Sequence, residues 1–211
     1  MGHDCCEIDH QSARDANVRR VLWIALALNA ALFVTEVVAG VASGSLALQA
    51  DSLDFLGDTA TYGLSLFVME RSLTWRAGAG LAKGGAMFAI GVAILASAVL
   101  TFASAGAPEH TTMGIVGSLA LAANLVCAAL LYQFRNAESN LRSAWLCSRN
   151  DAIGNIAVLV AAAGVWGTAT PWPDLIVGAG MAVLAIHASV QVIRQAIGEL
   201  GAARRALPVI H

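Results

Sequence analysis

The stretch Gly44–Asp58 reads GSLALQADSLDFLGD, and it runs on through TATYGLSLFVM to Met69. From Leu46 onward it is long and apolar enough for a membrane helix, which needs roughly 20 residues to cross a hydrocarbon core of about 30 Å. Asp51, Asp54 and Asp58 nevertheless interrupt it at i, i+3 and i+7. That spacing gathers all three on one helix face. A charged side chain at membrane depth costs about 2.5–3.5 kcal/mol on insertion scales, and by default it marks an ion path or a proton relay. A span that keeps three acids in its middle is built around chemistry.

Five further stretches have span length: about Val21–Val41, Gly78–Phe102, Met113–Phe134, Leu141–Trp166 and Leu175–Ile193. Pro108, Pro171 and Pro173 mark two of the short connections as turns. The 211-residue chain is 58% hydrophobic and 12% charged, about half the charge of a soluble domain. That composition excludes a disordered chain and argues against a water-soluble globule. The net charge of −2 leaves no basic surface for nucleic acid. The expected fold is an all-α polytopic membrane protein with six transmembrane helices. Its six-span domain covers 21–195, between a polar tail (1–20) and a short tail (196–211). The polar first twenty residues do not read as a signal peptide.

Lys and Arg set the orientation, because they collect on the cytoplasmic side. Arg14, Arg19 and Arg20 precede span one, and Arg71, Arg76 and Lys83 follow span two. Arg135 and Arg142 lie between spans four and five, and Arg194, Arg204 and Arg205 follow span six. The segments 42–45, 104–112 and 167–174 hold no Lys or Arg. Both termini are therefore expected in the cytoplasm, in a multi-pass protein of a bacterial plasma (inner) membrane. Cys5, Cys6, Cys127 and Cys147 do not form a disulfide framework and read as free thiols.

Span five answers span two. It reads WLCSRNDAIGN over Trp145–Asn155, with Cys147 and Asp151 at i, i+4 on one face. Counted from the outer surface at 1.5 Å per residue, Asp54 lies roughly 14 Å deep and Asp58 roughly 20 Å. Counted from the inner surface, Cys147 lies roughly 9 Å deep and Asp151 roughly 15 Å. Asp54 is thus expected level with Asp151, and Asp58 with Cys147. Two antiparallel helices, each offering an i, i+4 pair, suit a tetrahedral metal site. The plainer reading of each acid is a protonated group hydrogen-bonding between helices. A pure proton path competes more strongly, but it has no use for Cys147.

At these residues the chain resembles the cation diffusion facilitator family of zinc and heavy-metal exporters. GSLALQADSLDFLGD is similar to that family's second span, a small-residue turn leading into A-D-x-x-[HD]-x-x-x-D. LRSAWLCSRNDAIGN (141–155) is similar to its fifth span, usually L-H-x-x-x-D-x-x-G-S. The likeness extends to NAALFVTEVVAG (29–40) and PDLIVGAGMAVLAIHASVQVI (173–193), and so covers nearly all of 20–200. It implies metal ligands at Asp54, Asp58, Cys147 and Asp151, with no catalytic residue and no resident cofactor. The transported ion would be Zn²⁺, with Cd²⁺ or another divalent transition metal as further cargo, exchanged for protons. The chain departs from the family in having Cys147 where histidine is usual and no histidine-rich loop between spans four and five. It reads as a short form without the family's cytosolic C-terminal domain, so a homodimer would form through the transmembrane helices, with the lipid bilayer as its other partner.

Other polar residues carry weaker readings. Asp51, one turn outward of Asp54, is either a release-path or proton-accepting group or a structural hydrogen bonder. Glu36 reads as a packing or proton-relay partner rather than a ligand. Arg149 is rotated about 200° from both Cys147 and Asp151, so it should snorkel toward the cytoplasm or pair with an acid elsewhere. Asn155 is a candidate supporting residue beside the site, Asn29 and Asn124 should hydrogen-bond between helices, and His187 reads as a satisfied intramembrane histidine. His3, Cys5, Cys6 and His10 form either a metal-collecting tail or a solvated terminus.

The expected function is export of a divalent transition-metal ion by alternating access with proton antiport, not enzymatic catalysis. A proton-coupled transporter of small organic cations is the alternative. It would need aromatic residues around a larger cavity, and only 6% of the chain is aromatic. An intramembrane aspartyl protease would need Y-D and G-x-G-D motifs, which the sequence lacks.

Overall fold

The computed structural model describes residues 16–67, 72–101, 106–132 and 139–206. Among them the protein forms six helices: α1 (Ala16–Ser43), α2 (Leu46–Phe67), α3 (Leu73–Thr101), α4 (His110–Tyr132), α5 (Ser139–Thr168) and α6 (Trp172–Ala206). Helices are the form open to such a chain, because in hydrocarbon every backbone N–H and C=O must be satisfied within its own segment. By length and composition α1, α3, α4, α5 and α6 can each cross a bilayer. In α2 the same apolar length is broken by Asp51, Asp54 and Asp58 within 22 residues. The protein is an all-α polytopic membrane protein. Its lipid-facing surface is apolar, with Val34, Val38, Val41, Ile115, Val160 and Leu184 turned outward, while Glu36, Asn29, Asp51, Asn124 and Asn155 face inward.

The chain reverses between α1 and α2 in a two-residue turn. Ser45 N–H donates to Gly40 C=O (2.9 Å) and Gly44 N–H to Val41 C=O (3.3 Å), the paired bonds of a Schellman cap. Gly44 takes φ 71°, a left-handed conformation that a Cβ would oppose. Ser45 then caps α2, its Oγ accepting from Leu48 N–H at 3.1 Å. The rest of that cap comes from α6. Asp174 accepts from Ser45 Oγ–H (2.6 Å), Leu46 N–H (2.8 Å) and Ala47 N–H (3.1 Å). Beside it, a Cβ on Gly178 would meet the Leu46 carbonyl carbon at 2.6 Å. The first turns of α6 therefore press directly on the backbone that starts α2.

The helices sort into two groups. α1 packs mainly on α2, and α4 on α5, with α1·α4 and α2·α5 contacts joining the four. α3 packs mainly on α6, while α2 also touches both α3 and α6. The α3–α6 seam is made close by small residues: a Cβ on Gly84 would lie 3.2 Å from Ser189 C=O, and one on Gly91 2.9 Å from Ile186 Cγ1. At the start of α4, Glu109 accepts from Thr111 N–H (3.0 Å) and Thr112 N–H (2.6 Å). Hydrogen bonding from Thr112 first, then Thr111, holds its carboxyl down at about 2.

Two sequence expectations change. Lys83, within the expected third span, lies ten residues inside α3, and Arg76, expected ahead of that span, is helical as well. Apolar length placed the start of that span at Gly78, but the helix begins at Leu73. Lys83 satisfies its ammonium by donating to Thr61 Oγ1 of α2 at 2.6 Å. The sixth helix continues to Ala206, well past the end of its apolar run at Ile193. His3, Cys5, Cys6 and His10, like Arg71 and Arg135, lie outside the described residues.

Candidate metal centre

α2 lays its acids along the segment of α5 that carries Cys147 and Asp151. At one end of this track, Asn155 Nδ2 donates to Asp51 Oδ2 at 2.7 Å. At Gly154, the position of a Cβ is 3.7 Å from Asp51 Oδ1 and 3.8 Å from Asp54 Oδ2. Both carboxylates therefore lie against the α5 backbone within one turn of Asp151. Lower down, Tyr62 O–H donates to Asp58 Oδ2 at 3.1 Å. Tyr62 in turn lies beside Ser148, Cys127 and Cys147. The antiparallel register is consistent along the track: Asp51 meets Asn155, Asp54 meets Gly154, and the Asp58–Tyr62 pair meets Cys147 and Ser148.

Burial grades along the track. Asp51 is fully enclosed, Asp58 and Cys147 are buried, and Asp54 and Asp151 are half-buried. Among the described residues, no three His, Cys, Asp or Glu side chains come close enough together to enclose a metal ion. The four sequence-derived ligands thus lie on the neighbouring helices α2 and α5 without closing into a tetrahedron. A pocket of about 660 Å³ lined by His110, Ser118 and Trp166 lies where the start of α4 meets the end of α5. Trp166 is 15 residues beyond Asp151, about 22 Å along the helix, so this groove is remote from the acids.

Of the other sequence candidates, Asn155 is tied to Asp51 and to Asn124, whose Nδ2 donates to Asn155 Oδ1 at 2.9 Å. Glu36 of α1 lies beside Asp51 and is fully enclosed. Asn29 donates to Ala25 C=O in its own helix (2.8 Å) and to Cys127 Sγ of α4 (3.9 Å). Arg149 faces outward, stacked over the Trp145 ring at 5.5 Å, one turn toward the start of α5. His187 faces outward too, with Gln191 2.9 Å away.

Three features escaped the sequence reading. Cys127 of α4 is buried and has Asp58 and Asp151 as electrostatic neighbours. It lies on the stripe Met113, Val116, Ala120, Asn124, Cys127 and Leu131, all buried, a helical periodicity that could have been read. Tyr62, four residues from Asp58, shared its face and could likewise have been found. The capping of α2 by Asp174 joins residues 128 positions apart and has no local signature.

Six helices, four of which bring a seam of acids and thiols together, define a polytopic membrane protein with a polar track in its interior. Residues 22–200 match the model of the cation efflux transmembrane domain, and the chain belongs to that family. It is similar to the zinc transporter ZitB of Yersinia pestis, 28% identical, over 89% of this chain and 64% of the relative. It is also similar to the metal cation efflux system protein CzcD of Cupriavidus metallidurans, 30% identical, over 78% of this chain and 56% of the relative. A third relative is the cadmium, cobalt and zinc/H(+)-K(+) antiporter of Bacillus velezensis, 24% identical over 93% of this chain. The chain spans less than two thirds of the first two relatives.

Proposed function

We propose that the protein exports a divalent transition-metal ion, Zn²⁺ foremost and Cd²⁺ as a tolerated cargo, in exchange for protons. The observation that carries this reading is the seam itself. Asp51 and Asp54 rest against Gly154, and Asp58 reaches through Tyr62 toward Cys147, so two helices offer carboxylates and a thiol to one passage. Asp54, Asp58, Cys147 and Asp151 are the ligands. Metal arriving from the cytoplasm displaces protons from them, because carboxylates and thiols bind metal in their deprotonated forms. The helices then rock, and protons from outside compete the metal off. Four negative ligands over-compensate a dipositive ion, so at least one is protonated during part of the cycle; this gives antiport a physical basis. The distribution of Lys and Arg supports cytoplasmic termini, and the working form is a homodimer assembled through the helices. The names of the relatives support metal efflux.

The test is zinc flux and zinc-driven proton flux in proteoliposomes. Asp54→Ala, Asp58→Ala and Asp151→Ala each abolish both while the protein stays inserted. Wild-type flux in any two of them overturns the site.

A further inference from the structure

One group of buried polar side chains lies beside the proposed ligands without belonging to them. It takes one residue from each helix of the four-helix group: Glu36 from α1, Asp51 from α2, Asn124 from α4 and Asn155 from α5. Glu36, Asp51 and Asn155 are 0% exposed and Asn124 is 1% exposed. Hydrogen bonds run through them in one direction, from Asn124 Nδ2 to Asn155 Oδ1 (2.9 Å) and from Asn155 Nδ2 to Asp51 Oδ2 (2.7 Å). The chemistry fixes that direction. An ionised carboxylate only accepts, so Asn155 must offer its NH₂ to Asp51, and its oxygen must then accept from Asn124.

The chain of donors stops at Asp51. Asp51 Oδ1 and both carboxyl oxygens of Glu36 are buried and have no hydrogen-bond donor, although the two carboxyl groups are within hydrogen-bonding reach of each other. Acceptor faces acceptor. A buried polar group left unpaired calls for an explanation such as an ion or a proton. Two carboxylates sharing one water-poor site resist ionising together, and a proton between them turns the clash into a charge-assisted hydrogen bond. The charged group that approaches from the other side is Asp54, one turn along α2 and an electrostatic neighbour of Glu36.

We propose that Glu36 and Asp51 hold one proton between them and form a second proton site, where one of the protons exchanged for metal resides in addition to those on the metal ligands. This rests on the antiport reading above. The Asn124–Asn155 pair holds Asp51 in place from the side away from Glu36. A dication on Asp54 repels the shared proton, and a proton on the pair disfavours metal on Asp54, so the two cargoes exclude each other electrostatically. The proton is bound and released with no covalent step.

The test uses the full chain in lipid, metal-free at neutral pH. Infrared spectroscopy of the wild type shows a protonated-carboxyl C=O band that shifts in D₂O. Glu36→Gln and Asp51→Asn each remove it, and in Glu36→Gln the amide takes over the donation to Asp51, which keeps the packing. Calorimetry with zinc alone, repeated across pH, gives about one proton fewer released per zinc bound in Glu36→Gln and a correspondingly flatter dependence of zinc affinity on pH. No such band in the wild type, a band that survives both substitutions, or an unchanged proton count in both variants overturns the pair. Zinc flux with no proton flux in the wild type defeats the antiport reading and the second proton site with it. Normal coupling in the wild type and in both variants defeats the pair alone.

Discussion

The helices α1, α2, α4 and α5 enclose acids, amides and a thiol, whereas α3 and α6 meet through glycines against aliphatic side chains and backbone. In the first group neighbouring helices are joined by side-chain hydrogen bonds such as Asn124 to Asn155 and Asn155 to Asp51. Such bonds have definite partners and can be remade when a helix moves. In the second, Gly84 and Gly91 let two helices approach until van der Waals contact holds them. That contact has nothing to exchange. The difference separates polar contacts that can be remade from apolar contacts that cannot, and the two groups meet where α2 touches α3 and α6 and where α5 touches α6.

Three substitutions probe that division. Asp174→Ala has the largest expected effect on stability, because it strips acceptors from Ser45 Oγ–H, Leu46 N–H and Ala47 N–H at once. Each buried donor left unpaired costs about 1–3 kcal/mol. The expected outcome is a large fall in Tm, with Asp174→Asn intermediate because its one oxygen still accepts. A melting curve equal to wild type would mean that α6 does not hold α2. Gly84→Leu comes next, since a Cβ there already sits 2.8 Å from Ile193 Cγ1. Overpacking of this kind costs about 1–3 kcal/mol. It should lower Tm and leave the zinc affinity of the folded fraction intact; an affinity loss larger than the stability loss would break the division between the two groups.

Cys147 sharpens the comparison through selectivity. Thiolate favours zinc-group ions, with a bond of about 2.3 Å against about 2.0–2.1 Å for imidazole nitrogen. Cys147→His should keep zinc transport and reduce cadmium relative to zinc, while Cys147→Ser weakens both. An unchanged ratio and rate in the His, Ser and Ala variants would show that the residue only packs.

The smallest effect belongs to Glu109. Its folded carboxyl lies at about 2, below the ordinary value of about 4.3, so its contribution to stability is present above the ordinary value and is lost as pH falls through the folded one. Glu109→Gln should lower Tm slightly at neutral pH, and the gap should close in strong acid. A gap that persists there would assign the effect to something other than charge.

Most of the fold was legible because membrane helices announce themselves by apolar length. The acids of α2 were legible because hydrocarbon makes each of them conspicuous. The expectation that α2 faces α5 came from counting rise per residue; that count set Asp54 level with Asp151, and the structure sets it against Gly154, three residues farther along α5. What was not legible depends on partners far along the chain. Arg76 was left ahead of the third span because a cation ends an apolar window, while the bond from Lys83 to Thr61 is a tertiary fact. Asp174 read as part of a connection, and nothing near it says that it caps a helix 128 positions away. Cys127 was read as one thiol among apolar residues, because its proximity to Asp58 depends on how α4 leans on α1.

The reversal at Gly44 and Ser45 has a mechanical consequence. Two residues in fixed conformations, clamped by paired backbone bonds, make a stiff joint rather than a hinge. In the proposed rocking of the helices, torque applied to α2 would pass into α1, and the two would swing as one lever. A spectroscopic label on the outward-facing Val34 of α1 would therefore register the stroke of α2 from the lipid side, and a few flexible residues inserted at Gly44 would let the lever slip.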